Sequence, residues 1–343
     1  MHRQSVPNHG KSFHYSRLKI FLLFLQLLIV IAIAEHFIRR AMRQSEQAAQ
    51  HDHSADFWQN GLPLPVLGEK AILPPGLAEA VPAFMPSADG MNAGASDCMK
   101  RQLDYATANG LPVEVTNSIG MHFRLIPPGR VLIGSPPEEK GHDAVESRHS
   151  MDIQKPFYAG MTEVTQAQWR MVMGNTACPA HFIGDTLPVE EVTWNQCKEF
   201  VQRLNEMELL PPETYRLPTE FQWEYACRSD SESAFCFGNS PRTLRQWAVF
   251  DENSAGHTSP VAQKRPNAFG LHDMHGNVWE WCENLYANYP GDTTPASAAH
   301  SFRVIRGGNW YLPADECRSA VRSRLPASSH GNMLGFRIIR ILH

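Results

Sequence analysis

Short runs in which hydrophobic and polar residues alternate predict strands in the second half of the chain. Residues 121–126 and 130–134 are two such runs, and Pro127-Pro128-Gly129 between them predicts a hairpin of two strands. Residues 157–163 predict a further strand. Later strands separated by loops with proline and glycine are predicted at residues 304–310, 317–322 and 335–340.

Apolar residues at helical spacing predict three helices, and each follows a threonine. Thr165 with Gln168, and Thr219 with Gln222, match the capping box, in which threonine and glutamine side chains bind each other's backbone N–H. Thr193 caps the helix between them. Few helices, many short strands and long loops predict a single α+β domain over residues 115–343.

The amino-terminal part of the chain has the pattern of an exported protein. Residues 20–34 are apolar except for Gln26, follow a basic segment and end in Ala32-Ile33-Ala34, the small-x-small order that a signal peptidase recognises. An uncleaved anchor over residues 18–38 is the alternative. Both interpretations predict a periplasmic or extracellular protein. An uncleaved anchor would hold it in the inner membrane. We therefore assign residues 1–43 to a signal peptide or membrane anchor.

The segment between this apolar run and the predicted domain, residues 44–114, is rich in proline and alanine and predicts a tether. Residues 1–43 carry a net charge of +6, which leaves −10 for the other 300 residues because the total is −4. An acidic body argues against a nucleic acid partner. Any membrane contact is expected through the amino-terminal apolar segment.

Residues 267–286 combine indoles, glycines and oxygen-bearing side chains more densely than an ordinary strand. Asp273 and Glu280 offer two carboxylates, and a bend between them can turn the carbonyls of Gly276 and Val278 toward the same point. Such oxygen ligands suit calcium. The alternative is a turn capped by Asp273, with Glu280 held in the core by backbone amides.

Several motifs, taken in order, resemble the formylglycine-generating enzyme family, also called the sulfatase-modifying factor family. They are Arg216-Leu217-Pro218-Thr219-Glu220, Asn267-Ala268-Phe269-Gly270-Leu271, Gly276-Asn277-Val278-Trp279-Glu280-Trp281, Arg306-Gly307-Gly308 and Gly335-Phe336-Arg337. The resemblance implies a variant C-type-lectin-like fold with little regular secondary structure. It also implies a structural calcium ion at Asp273, Gly276, Val278 and Glu280.

The resemblance further implies copper-dependent oxidation of a substrate cysteine by two thiolates that follow the Arg-Gly-Gly motif. Here Leu312 occupies the first thiolate position and Cys317 the second, and Asn309 stands where active members have serine. A cuprous ion selects soft thiolate ligands, so one cysteine and a leucine cannot hold it. We therefore expect a retained fold without oxidase activity and without copper. Cysteines that could instead rebuild a pair with Cys317 are Cys178, Cys236 and Cys282.

The family also implies a disulfide at Cys227, but its partner position carries Arg322 in this chain. Cys317 is the nearest partner left. A Cys227–Cys317 bridge would close a loop of about 90 residues and stabilise the fold by roughly 4–5 kcal/mol in the chain-entropy model. Two free thiols are the alternative, and Cys236 with Cys282 is a second candidate pair. Candidate cleft residues are Arg306, Asn309 and Trp310.

Three functions agree with this sequence. The first is a binding, accessory or regulatory factor for an exported polypeptide or an envelope system, for example in the control of type VI secretion. The second is an oxygen-dependent oxidase that matures sulfatases or a related secreted peptide. The third is a structural protein of the envelope.

Overall fold

The structure, a computed structural model, describes residues 94–174, 178–289 and 302–342. The predicted signal peptide or anchor and most of the predicted tether lie outside these ranges. Among the described residues, no helix combines the length and the apolar character needed to cross a membrane.

Helices and strands alternate irregularly along the described residues, and long loops connect them. The helices are α1 (Ala95–Ala108), α2 (Gln166–Met173), α3 (Trp194–Met207) and α4 (Glu220–Arg228). The strands are β1 (Glu114–Thr116), β2 (His122–Ile126), β3 (Gly129–Ile133), β4 (His149–Ile153), β5 (Phe157–Gly160), β6 (Tyr215–Arg216), β7 (Trp279–Leu285), β8 (Phe302–Arg306), β9 (Arg322–Pro326), β10 (Leu334–Gly335) and β11 (Ile339–Ile341).

Three sheets organise these strands. The largest has the order β1-β2-β5-β11-β6 and is antiparallel throughout. The second has the order β10-β7-β8-β9, in which only the short β10 runs parallel to its neighbour. The third is the pair β3-β4. The second sheet contains β7, so it carries the carboxylate of Glu280.

The predicted hairpin of β2 and β3 is wrong in its pairing, although both segments are strands. β2 pairs with β1 and β5, whereas β3 pairs with β4. Pro127 and Pro128 between them have no backbone N–H to donate, so the ladder cannot continue through them. The Tyr225 hydroxyl donates a hydrogen bond of 3.0 Å to the carbonyl of Pro127 and fixes this corner.

The three predicted helices are confirmed, including their first residues. Thr165 and Thr219 form the predicted capping boxes, and Thr193 forms a third with Gln196. α2 ends at Met173, and the next residue, Gly174, caps it with a φ of +83°.

Helix α1 lies within the segment that was predicted to be a tether, yet it packs against the domain. Ala95 and Cys98 are buried. Gln102 Nε2 donates hydrogen bonds to the carbonyls of Leu125 at 2.7 Å and Phe269 at 3.2 Å. The packed fold therefore begins before residue 115.

The hydrophobic core lies on both faces of the largest sheet. Phe157 and Ala159 of β5 belong to one cluster of buried side chains and Tyr158 to another, as expected when neighbouring residues of a strand point to opposite faces. Trp169 of α2 stacks on Phe200 of α3 in the cluster that contains Tyr158. The other cluster includes residues of α4.

Candidate functional site

The turn before β7 has a backbone conformation that only particular residues can adopt. Asp273, Gly276 and Asn277 all have positive φ, at 57°, 81° and 56°. A Cβ atom at Gly276 would lie 2.0 Å from the carbonyl oxygen of Val249, so only glycine fits there. The N–H of Gly276 donates to the carbonyl of Gly307 at 2.7 Å. The turn is thereby joined to the Arg-Gly-Gly segment.

Glu280 on β7 is fully buried and is held by side chains, not by the backbone amides considered above. Its carboxylate accepts hydrogen bonds from Trp223 Nε1 at 2.6 Å and from Arg337 Nη2 at 2.8 Å and Nε at 3.1 Å. Arg337 also donates to the carbonyls of Gly160 and His272, both at 2.8 Å. The negative charge of Glu280 is therefore compensated by Arg337.

Two further buried carboxyl groups lie near this pair. Asp273 accepts a hydrogen bond of 2.7 Å from the N–H of Ala262. Glu163, which the sequence did not single out, is fully buried, and its carboxyl group interacts with that of Asp273. Burial, and then the charge of Asp273, raise the pKa of Glu163 well above its ordinary value. Burial also raises the pKa of Asp273.

These groups fit a divalent cation in charge. Asp273, Glu163 and Glu280 bring three carboxyl groups to a buried region where Arg337 is the guanidinium that counters them. His272 beside them is not a second cation, because burial lowers its pKa. Within residues 94–174, 178–289 and 302–342, no group of three or more His, Cys, Asp or Glu side chains is placed to hold a metal ion by itself. A cation here would therefore need backbone carbonyls among its ligands.

Cys317 lies inside the protein, behind the Arg-Gly-Gly segment. It is fully buried, and burial raises the pKa of its thiol to about 12. Leu312, at the other thiolate position of the family, packs against the same hydrophobic cluster, which includes Phe235 and Trp247. Cys236 belongs to this cluster as well. Among Cys178, Cys236 and Cys282, only Cys236 lies in the same hydrophobic cluster as Cys317.

Cys227 on α4 and Cys317 are both free thiols in the structure. Cys227 Sγ lies 3.7 Å from Ser319 Oγ and 3.9 Å from His275 Nε2. His275 Nδ1 lies 2.8 Å from the carbonyl oxygen of Cys317, and burial lowers the pKa of this histidine to about 4. The neutral imidazole of His275 thus contacts the thiol of Cys227 on one side and the backbone of Cys317 on the other. The Cys227–Cys317 bridge, like Cys236 with Cys282, stays a prediction.

The three cleft candidates differ in position. Arg306 lies inside the domain with no exposed area, where it forms an ion pair with Glu224. Asn309 is 3% exposed, and its Oδ1 accepts a hydrogen bond of 2.8 Å from the N–H of Tyr311. Trp310 is 8% exposed and donates from Nε1 to the carbonyl of Asn332 at 2.9 Å. Of the three, Trp310 is the least buried.

Trp310 is the centre of an aromatic surface that we define by His181, Phe182, His257, Trp310 and Tyr311. The rings of Phe182 and Trp310 meet edge to face with centroids 5.6 Å apart, and Trp310 meets Tyr311 at the same distance. Tyr311 is 66% exposed and Ile183, next to Phe182, is 76% exposed. Sequence reasoning found only Trp310 here, because the other residues lie in loops without periodicity.

A buried carboxyl group is hydrogen-bonded to the backbone of this surface. Glu190 Oε1 accepts a hydrogen bond of 2.7 Å from the N–H of Phe182, and its Oε2 is buried. Burial raises the pKa of Glu190 from 4.5 to about 7. Its charge therefore changes near neutral pH.

The raised pKa of Glu190 predicts a pH-dependent stability. The folded protein keeps this proton between about pH 4.5 and 7 while the unfolded chain has lost it, so the contribution of Glu190 to stability falls as the pH rises through 7. Glu190→Gln cannot ionise, so it avoids this loss of stability at high pH. The Tm of Glu190→Gln minus that of wild type should therefore be about 2–4 °C larger at pH 8 than at pH 5, which corresponds to about 1 kcal/mol in a domain of this size. Thermal unfolding at the two pH values measures it. Glu199→Gln, at an exposed position on α3, is the control and should show no such difference; the same Tm difference for Glu190→Gln at both pH values would contradict the assignment.

Comparison with known proteins gives a family match and several relatives. Residues 111–342 match the family described as sulfatase-modifying factor enzyme 1-like domain. The chain is 28% identical over 232 residues to the chaperone protein LppX of Paenibacillus barcinonensis, a match that covers 54% of this chain and 80% of that protein. It is 32% identical over 199 residues to the formylglycine-generating enzyme of Streptomyces coelicolor, a match that covers 51% of this chain and 58% of the enzyme.

A solved structure, the Treponema denticola variable protein 1, is similar to this chain with a TM-score of 0.61 and 28% identity. The similarity covers 68% of this chain and 100% of that one. The α+β architecture is therefore shared along the whole length of the solved chain.

Proposed function

This chain belongs to the sulfatase-modifying factor enzyme 1-like family and has its C-type-lectin-like α+β fold, and on that premise we propose that it binds an exported polypeptide without oxidising it. The protein would itself be exported, and would act as an accessory or regulatory factor for that polypeptide or for an envelope system such as type VI secretion. One relative is named as a chaperone, and this supports a role in binding.

The aromatic surface carries this proposal. Tyrosine and tryptophan supply much of the energy of protein interfaces because they bury a large apolar area and keep a polar group for hydrogen bonding. Tyr311, whose ring meets that of Trp310, and Ile183, which follows Phe182 in the chain, are more than half exposed. A surface of this kind favours a partner with apolar side chains and an accessible backbone, which an extended polypeptide has.

The lack of oxidation is supported by the side chains at the two thiolate positions. Leu312 has no sulfur, and Cys317 is a buried thiol whose pKa is raised by its surroundings. Copper chemistry in the family needs two soft ligands that converge on one ion. A second candidate function, oxidation through a rebuilt pair, would use Cys236, since it packs in the same cluster as Cys317.

We also propose a structural calcium ion at the turn before β7, with Asp273, Gly276, Val278 and Glu280 as its site residues. The excess of buried carboxyl groups over guanidinium groups supports it, because a divalent cation would balance that charge. The proposed binding function needs no copper.

One experiment tests both halves of the proposed function. The purified protein is incubated with a Cys-Thr-Pro-Ser-Arg peptide of the sulfatase type, copper and oxygen, and the peptide mass is followed. We expect no conversion of the cysteine to the aldehyde, while a formylglycine-generating enzyme converts it in parallel. Conversion would overturn the proposal, and its loss in Cys236→Ser or Cys317→Ser would establish the rebuilt pair.

The binding half uses reduced and carboxymethylated lactalbumin, a soluble polypeptide without a fold of its own. We expect saturable binding by fluorescence anisotropy, and competition by peptides with apolar and aromatic side chains. Absence of saturable binding to this probe and to a panel of exported polypeptides would contradict the proposal and favour a structural role.

A further inference from the structure

Arg340 lies between two tyrosines in the largest sheet. It is the middle residue of β11 and is paired with Tyr158 of β5 on one side and with Tyr215 of β6 on the other. Residues paired in this way point their side chains to the same face of a sheet. Both tyrosines belong to the buried cluster on that face, whereas Arg340 is half-buried. A guanidinium is therefore placed at the border of the core.

Arg340 has no counter-ion from the protein. Within residues 94–174, 178–289 and 302–342, its side chain makes no ion pair and no hydrogen bond. The buried arginines in the same part of the chain differ from it, because each of them binds a carboxylate. The N–H groups of Arg340 are thus available for an acceptor from outside, and a charged acceptor gives the strongest such bond.

A cavity of about 390 Å³ lies beside Arg340, within the range of about 300–1,000 Å³ that small-molecule sites occupy. Glu208, the residue after α3, supplies a carboxylate to its wall. Oε1 of Glu208 accepts hydrogen bonds from the N–H of Ser118 at 3.0 Å and from its hydroxyl at 2.7 Å, and Oε2 accepts one from the Tyr215 hydroxyl at 2.9 Å. A carboxylate has about four acceptor positions, so one is left.

The wall of this cavity therefore presents one positive and one negative group. Arg340 and Glu208 both line it, and in the part of the chain that the structure describes they form no ion pair with each other. A simple anion in the cavity would be repelled by Glu208, and a simple cation would be repelled by Arg340. A ligand that carries both charges would satisfy the two side chains at once.

We propose that this cavity binds a free α-amino acid, with its carboxylate on Arg340 and its ammonium group on Glu208. The site is separate from the proposed polypeptide site, because none of the residues that line the cavity belongs to the aromatic surface. The protein would then have two binding sites, one for a polypeptide and one for a small zwitterion.

Isothermal titration calorimetry of the full chain with the twenty common amino acids, one at a time, tests this proposal. We expect at least one of them to bind with a stoichiometry of one. The N-acetylated form and the amide of that amino acid each lack one of the two charges, so each should bind at least tenfold more weakly. Equal binding of the two blocked forms would overturn the proposal without any change to the protein.

Variants on the two sides of the cavity locate the amino acid. Arg340→Met should weaken its binding at least tenfold, because the carboxylate loses its partner. The control is Arg130→Met: Arg130 is an exposed arginine of β3 that pairs with Asp152, and this variant should bind as wild type does. Glu208→Gln should weaken the binding of the amino acid but not that of its N-acetylated form, whereas damage to the fold would weaken both.

The outcomes decide the proposal separately from the proposed function. Absence of binding by wild type to every amino acid overturns it, and so does equal binding by wild type and Arg340→Met. If Arg340→Met does not fold, Glu208→Gln with the free and N-acetylated ligands decides the matter, and equal weakening of both ligands overturns the assignment. None of these results bears on polypeptide binding, which is measured with a different probe.

Discussion

Replacing Arg306 with methionine is expected to lower the free energy of unfolding by about 3–5 kcal/mol, the loss typical of breaking a buried ion pair from one side. Arg306 pairs with Glu224, and neither side chain has exposed area. The guanidinium also donates to the carbonyl of Ala320 at 2.8 Å and lies 5.4 Å from the ring of Trp223. Methionine keeps much of the volume but leaves the Glu224 carboxylate without this partner.

Urea denaturation at neutral pH measures this loss. The matched control is Arg245→Met, because Arg245 pairs with Glu252 while both side chains are more than half exposed. Exposed pairs contribute little, so the control should change the free energy of unfolding by about 0–1 kcal/mol. A loss below about 1 kcal/mol for Arg306→Met would mean that Arg228, which also binds Glu224 at 2.8 Å, can compensate the charge alone.

The second large effect is expected at the aromatic surface. Tyr311→Ala should weaken the binding of carboxymethylated lactalbumin about tenfold, and Trp310→Ala should weaken it more, since truncation of such residues typically costs about 2 kcal/mol or more at the centre of an interface. Tyr311 is the cleaner position because its side chain is largely exposed. Trp310 also donates a hydrogen bond to Asn332, so its replacement affects the loop as well.

Fluorescence anisotropy with the labelled polypeptide measures both variants, and circular dichroism checks that they fold. Leu209→Ala is the control: Leu209 is 78% exposed but belongs to the loop after α3, away in sequence from the aromatic surface. It should bind as wild type does. Equal binding by wild type and Tyr311→Ala would place the contact with the polypeptide elsewhere.

Local signals in this sequence predicted local structure well. The threonine caps fixed the start of α2, α3 and α4, because a cap and its partner are only three residues apart. Strand pairing depends on residues far apart in the chain, so β2 and β3 were recognised as strands but joined incorrectly. The segment of helix α1 was assigned to the tether because the contacts that bury it are with distant parts of the chain.

Residues of the candidate site were predicted from the sequence where they belong to a motif, and the others were not. The turn from Asp273 to Glu280 stood out by its composition. Glu163 did not, because a lone glutamate before a helix has many uses and its exceptional burial arises only in the folded chain. Arg306 is the opposite case, since a motif arginine that was expected in a cleft is bound to Glu224 in the interior. Sequence alone does not tell a buried charge from an exposed one.

Because of the position of β11, the largest sheet can be completed only after β11 has been synthesised. β11 lies between β5 and β6 in the largest sheet, although it follows both of them in the chain. A ribosome therefore delivers β5 and β6 long before the strand that joins them, and until then each exposes an edge on which other strands could assemble. Any mutation that halts translation before residue 339 would leave these two edges open and expose the nascent chain to proteases and chaperones.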